Sequence, residues 1–136
     1  MKKAVFDTNV IVSGFLSPHG PPGRIVDWLR EGTVCAVLDD RIVDEYREVL
    51  GRPAFGLPPM EVQIVLQSIQ RHGLWVTAPM EIAAGDLPDP DDAPFLECAR
   101  MAGVPLVTGN VRHYPKAIVG TLPVMTPAEY IRLNNV

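Results

Sequence analysis

The chain has 136 residues, so we expect a single domain over residues 1–136 with a core that needs no disulfide bonds. Hydrophobic residues make up 47% of the sequence and charged residues 21%, a composition typical of folded globular proteins that excludes a disordered chain. The net charge of −4 disfavours a general nucleic-acid coat protein, which would be basic. It does not exclude a nuclease with acidic metal ligands.

The apolar runs indicate a cytoplasmic protein with no membrane partner. No run reaches the length of a membrane span, and Asp7 interrupts the N-terminal apolar stretch too early for a signal peptide. Cys35 and Cys98 lie inside apolar stretches, so we expect buried free thiols in a reducing compartment.

The first half of the chain predicts two buried strands and two helices. The strands are expected at residues 4–6 and 33–38, because both runs are short and apolar. Residues 10–15 fit either the start of a helix or an irregular segment. Helices are expected over 24–30, after Pro21 and Pro22, and from Asp39 or Asp40 to about residue 50.

The second half continues the alternation of helices and strands. A helix should run from Pro59 to Gly73, followed by a short strand at 74–77 and a loop at 85–91. Asp92 is the expected N-cap of the next helix, and strands should follow at 104–108 and 124–125. Thr126 and Glu129 fit a capping box for a last helix. This order predicts an α/β layered fold with a mainly parallel sheet.

Three polar residues are expected at one edge of that sheet. Asp7 directly follows the first strand, Asn110 follows a later strand, and Asp92 begins a helix just past a strand and loop. The carboxyl ends of parallel strands share one edge, where such sheets form their functional crevice. The sequence therefore predicts a crevice supplied with oxygen ligands by three separate segments.

Glu45 is the acid of helix 40–50 that is best placed to join them. It lies at the flank of the apolar stripe, nearer to it than Asp44 or Glu48. Clustered carboxylates repel one another unless a cation is bound, and Mg²⁺ or Mn²⁺ prefers such oxygens and can activate water. Each acid also has a purely structural interpretation: Asp7 as a turn former, Glu45 as a solvated helix residue and Asp92 as a helix cap.

Four segments resemble the motifs of PIN domains, and they occur in the family's order over nearly the whole chain. They are VFDTNV (residues 5–10), VDEYREVL (43–50) followed by Arg52-Pro53, DAPFLECA (92–99), and VTGN (107–110) followed by His113-Tyr114-Pro115. Each segment is weak by itself, and the ordered set is specific. The group that looks most similar is the toxin component of bacterial and archaeal toxin–antitoxin pairs, related to VapC-type ribonucleases.

The resemblance implies a three-layer α/β/α sandwich and an endoribonuclease that depends on Mg²⁺ or Mn²⁺. It implies an RNA substrate, a protein antitoxin and a homodimer. By residue match, Asp7, Glu45 and Asp92 would be the metal ligands, with Asn9 and Thr108 as supporting polar groups.

Asn110 would occupy the fourth acidic position, where many relatives carry Asp, and this departure weakens the case for a second metal ion. Asp89 and Asp91 lie close enough in sequence to compensate, although a turn role is favoured for both. His113 follows Asn110 by three residues and could approach substrate or metal, although a surface or capping role is favoured.

Two other functions remain open at this point. An inactive PIN-like binding module is one, because Asn110 supplies no charge. A phosphatase with Asp7 as its nucleophile is the other. It is disfavoured, because such enzymes usually carry a second Asp two positions on, where this chain has Asn9.

Overall fold

A parallel sheet forms the centre of the computed structural model, which describes residues 2–134. Its neighbouring strands are all parallel. The strands are β1 (Lys2–Phe6), β2 (Val34–Leu38), β3 (Leu74–Trp75), β4 (Leu106–Val107) and β5 (Val124–Met125), and they lie in the order β3-β2-β1-β4-β5. Since the strands run in one direction, their carboxyl ends lie along a single edge of the sheet, called the carboxyl edge below.

Helices cover both faces of the sheet. Those in the described residues are α1 (Thr8–Leu16), α2 (Pro21–Glu31), α3 (Asp40–Leu50), α4 (Pro59–His72), α5 (Ala93–Ala102), α6 (Lys116–Val119) and α7 (Pro127–Asn134). Helix α2 packs against β2, α4 and α7, whereas α5 packs against β1 and β2. The chain adds β2 and β3 on one side of β1 and then returns to add β4 on the other side. Because the crossovers are right-handed, this reversal places α2 and α5 on opposite faces of the sheet. The predicted three-layer α/β/α sandwich is confirmed.

Local sequence signals explain where the elements begin and end. Every residue of β2 is buried, as expected for a strand with covered faces on both sides. Helix α2 begins at Pro21 and ends at Gly32, whose φ of 77° is the left-handed conformation that glycine adopts most easily. At the start of α7, Thr126 N donates to Glu129 Oε1 (3.1 Å) and Glu129 N donates to Thr126 Oγ1 (3.2 Å), which confirms the capping box.

The structure resolves one ambiguity and corrects some predicted boundaries. Segment 10–15, for which a helix and an irregular segment were both open, belongs to α1, which begins directly after Asp7 and buries Val10, Ile11 and Val12 in succession. A helix so thoroughly buried shows no clear amphipathic period, so its sequence resembles any other apolar run. Strands β3 and β4 are shorter than expected, although Val76 N still donates to Leu38 O at 2.8 Å.

The buried thiols follow the prediction, since Cys35 and Cys98 are both free and buried. Within residues 2–134, none of the helices combines the length and the apolar character that crossing a membrane demands.

The strand order changes direction between β1 and β4. The chain goes from β1 outward to β2 and β3, and then returns to β4 on the other side of β1. Such a switch point opens a crevice at the carboxyl edge, because the connections leaving the two strands diverge to opposite faces. Asp7 follows β1 and Thr108 follows β4, so the two residues face each other across this crevice.

Candidate metal centre

Asp7 lies at the switch point with its carboxylate almost fully buried. Its backbone N–H donates to Val107 O (2.9 Å), which fixes the residue beside the end of β4. Its Oδ2 accepts hydrogen bonds from the hydroxyls of Thr108 (3.0 Å) and Tyr114 (2.9 Å). Burial nevertheless raises the pKa of Asp7 above its ordinary value, because these donors do not fully replace the lost water.

Thr108 is held in one orientation by the predicted supporting residues. Its Oγ1 accepts from Asn110 N (3.0 Å) and from Asn9 Nδ2 (3.4 Å), so its own proton is directed to Asp7. Asn9 Oδ1 accepts in turn from Gly109 N (2.8 Å). The contact that ties Asn110 to this network is therefore made by its backbone N–H.

Glu45 reaches the same region from α3. It is half-buried, and the hydroxyl of Thr8 donates to its Oε2, which places Glu45 beside the residue that follows Asp7. The hydroxyl of Tyr46 donates to the carbonyl of Phe6 and so anchors α3 at the end of β1. Burial raises the pKa of Glu45, and the negative charge of Asp7 raises it further.

Asp92 approaches Asp7 from the start of α5. Asp92 occupies the predicted N-cap position of α5, but its backbone angles are helical and its side chain makes no capping hydrogen bond. Its Oδ2 instead lies 3.0 Å from His113 Nδ1. Burial, followed by the charges of Asp7 and Asp89, raises the pKa of Asp92 to about 7 despite this histidine.

The neighbouring acids Asp89 and Asp91 have other surroundings. Asp89 accepts a hydrogen bond from Asp91 N (3.0 Å) and caps the 3₁₀ turn Pro90–Asp92, as its turn interpretation predicted. Asp91 is exposed, whereas Asp92 is buried. Of the two adjacent acids, Asp92 is therefore the one that faces the crevice interior.

The charges of these three acids are linked through Asp7. Its carboxylate raises the pKa of both Glu45 and Asp92, so the crevice holds more negative charge than its hydrogen-bond donors neutralise. Carboxylate and hydroxyl oxygens are the donors that hard divalent cations prefer, and a bound cation would relieve this repulsion. The chemical types of these oxygen donors therefore suit a hard divalent cation. As they are placed, however, no three His, Cys, Asp or Glu side chains of residues 2–134 are grouped closely enough to hold one.

Two site contacts were not anticipated from the sequence. His113 was expected on the surface or at a helix cap, and it instead contacts Asp92. Tyr114 is buried and contacts Asp7 from 107 positions away. The 3₁₀ turn Val111–His113 returns both side chains to the crevice, and this short turn has no period that a sequence pattern can reveal. The only available signal was their position directly after the fourth motif.

An ion pair between Arg41 of α3 and the buried Glu97 of α5 holds the long segment between β3 and α5, residues 76–92, against these two helices. Glu97 of α5 is only 2% exposed, and its Oε1 accepts from Arg41 Nη1 at 2.7 Å. Its Oε2 accepts from the backbone N–H groups of Glu81 (2.8 Å) and Ile82 (3.0 Å). Arg41 also pairs with Asp39 at 2.7 Å. One carboxylate thus connects α3, α5 and the segment that ends at Asp92.

We expect Tyr114→Phe to destabilise the protein by roughly 1.5–3 kcal/mol, because it removes a donor from a buried carboxylate. Urea unfolding measures this change. Tyr130→Phe is the matched control, since the buried Tyr130 hydroxyl has no hydrogen-bond partner among the described residues and should cost nothing to remove. Equal costs for the two variants would show that the Asp7 contact contributes nothing specific.

The described features define an α/β/α protein with a crowded acidic crevice at the switch point of its sheet. Residues 3–112, more than half of the chain, match the family model of the PIN domain. The chain belongs to the PIN-domain family, whose members are generally nucleases and usually use divalent metal ions. Searches of curated proteins and of solved structures gave no significant match.

Proposed function

We propose that this protein is an endoribonuclease dependent on Mg²⁺ or Mn²⁺, and the toxin of a type II toxin–antitoxin pair. The observation that carries the proposal is that three acids from separate segments, Asp7, Glu45 and Asp92, line one crevice of a PIN domain. The raised pKa of each acid supports it. Such acids resist ionisation in the absence of a cation, and a cation bound in the crevice would stabilise their ionised forms.

Asp7, Glu45 and Asp92 would hold the ion, which when bound activates a water molecule and stabilises charge on the phosphate. Thr108 and Tyr114 both donate to Oδ2 of Asp7, so they fix the orientation of the carboxylate. Thr8 orients Glu45 and His113 orients Asp92 in the same way. With these groups in place, no side chain need act as a nucleophile.

The RNA substrate, the antitoxin and the homodimer rest on the order of the four motifs and their resemblance to toxin components. The test begins with purified protein and total cellular RNA in the presence of Mg²⁺, Mn²⁺ or EDTA. We expect discrete cleavage products with either ion and none with EDTA. Failure to cleave varied RNAs, together with no calorimetric binding of either ion, would contradict the proposal. Growth arrest on expression, relieved by a co-expressed neighbouring gene, tests the toxin role separately.

A binding module without activity is the second candidate, and two observations favour it. Asn110 supplies no charge at the fourth position, and the acids are not grouped closely enough to hold an ion as they are placed. A calorimetric titration with Mn²⁺ separates the two candidates, because a binding module should take up no ion. A phosphatase is not supported. Asn9 stands where such enzymes usually carry a second Asp, and both ends of its amide are hydrogen-bonded to Thr108 and Gly109.

A further inference from the structure

Two clefts on the carboxyl edge meet at Arg41 and Met80, and together they are called the edge groove here. The first cleft, of about 540 Å³, is lined at one end by Glu45 of the candidate metal centre and by the exposed Asp91. Arg41 and Met80 line its other end. The second, of about 420 Å³, shares Arg41 and Met80 and extends to Trp75. The edge groove therefore connects the candidate metal centre to Trp75.

The sheet sets the distance that the edge groove covers. Leu38 pairs with Trp75, so Trp75 lies at the carboxyl end of β3, two strands away from Asp7 at the end of β1. Two strand spacings amount to roughly 10 Å. At the spacing of stacked bases, about three nucleotides cover that distance.

Trp75 is an ordered aromatic side chain on the surface. The residue is 45% exposed. Its Nε1 donates to Gln70 O (3.4 Å), which restrains the ring on the edge strand. An exposed indole with restrained orientation is the kind of platform on which nucleic-acid bases stack.

We propose that single-stranded RNA lies in the edge groove, with a base stacked on Trp75. The inference rests on the proposed ribonuclease function and names where its substrate strand leaves the metal centre. Trp75 and Met80, two exposed apolar side chains of the groove, suit bases. The exposed acids Asp40 and Asp91 also line it and repel phosphates, so the groove favours bases over phosphates. Its cation Arg41 is already paired with Asp39 and Glu97, so it adds little attraction for phosphate.

Stacking on Trp75 should leave a kinetic signature that depends on substrate length. With a ten-nucleotide RNA, Trp75→Ala is expected to raise KM about 5- to 150-fold, since one stacked base contributes roughly 1–3 kcal/mol. Trp75→Phe should restore most of the loss, because it keeps an aromatic face. The effect should be far smaller with a dinucleotide, which is too short to reach from the metal centre to Trp75. Met101→Ala, a change at another exposed apolar residue, is the control and should match the parent.

A binding measurement without metal separates this inference from catalysis. In a Trp28→Phe background, Trp75 is the only tryptophan, and its fluorescence should fall when the ten-nucleotide RNA binds in EDTA. The contribution of Trp75 to affinity should change little with salt, because stacking releases no counterions. If Trp28→Phe does not fold, the KM comparison carries the test alone.

The possible results have distinct meanings. If the parent cleaves RNA and Trp75→Ala has an unchanged KM on the ten-nucleotide substrate, the edge-groove inference is wrong and the ribonuclease proposal stands. If the parent neither cleaves nor binds RNA, both are wrong. Quenching by a basic peptide but not by RNA would overturn the inference and assign the groove to a protein partner.

Discussion

Asp7→Asn is expected to reduce RNA cleavage by more than about 100-fold while the protein remains folded. Loss of a residue that merely orients a metal ligand costs about 10- to 100-fold, so loss of a ligand should cost more. The substitution preserves shape, and the amide oxygen can still accept from Thr108 and Tyr114. It also removes a buried charge whose pKa is raised, so stability without metal should be maintained or increased.

Initial cleavage rates and urea unfolding of the same preparations measure both effects. Asp44→Asn is the control, because Asp44 undergoes the same chemical change on the exposed side of α3, in a surface pair with Arg47. Its cleavage rate should equal that of the parent. Calorimetry should show Mn²⁺ binding to the control and none to Asp7→Asn. An Asp7→Asn variant as active as the parent would remove Asp7 from the metal centre.

Glu97→Ala is expected to destabilise the protein by about 1–3 kcal/mol, because it removes the acceptor of two backbone N–H groups. The lost ion pair adds little, since Arg41 is 31% exposed and stays paired with Asp39. The change leaves Arg41 with Asp39 alone and leaves the N–H groups of Glu81 and Ile82 without their acceptor. Segment 76–92 should therefore loosen before the rest of the protein unfolds. Urea unfolding gives the cost, and limited proteolysis reports the cleavage of this segment.

The matched control for Glu97→Ala is Glu48→Ala, which breaks the exposed pair with Arg52 (2.8 Å) and should cost at most about 1 kcal/mol. If Glu97→Ala cannot be purified in folded form, Glu97→Gln gives a milder test, because its amide oxygen can still accept from the two N–H groups. A cost for Glu97→Ala no larger than that for Glu48→Ala would contradict the tethering role.

The fold could be predicted from the sequence wherever a local pattern determined an element. Helix α3 has an apolar stripe with an acid at its flank, and β2 is an uninterrupted apolar run between turn signals. Asp7 and Asn110 could be placed at one edge, because parallel strands end together. Helix α1 could not be distinguished from an irregular segment, because its apolar residues follow one another without a helical period.

The contacts that complete the candidate site could not be predicted in this way. Asp92 fits the pattern of a helix cap, yet its carboxylate contacts His113, 21 positions away. Glu97 lies within an apolar helix pattern and is buried because Arg41, 56 positions away, pairs with it. Such pairings depend on how segments pack in three dimensions, and neither propensity nor spacing in the chain encodes them.

The separation of Asp7 from its hydrogen-bond donors has a consequence for protein synthesis. Asp7 is translated before its donors, because Thr108 and Tyr114 follow it 101 and 107 positions later. At about 5–20 residues per second, a ribosome adds those donors roughly 5–20 s after Asp7. An incomplete nascent chain therefore lacks the groups that orient its buried carboxylate. The chain can therefore acquire nuclease activity only after the ribosome has synthesised most of it.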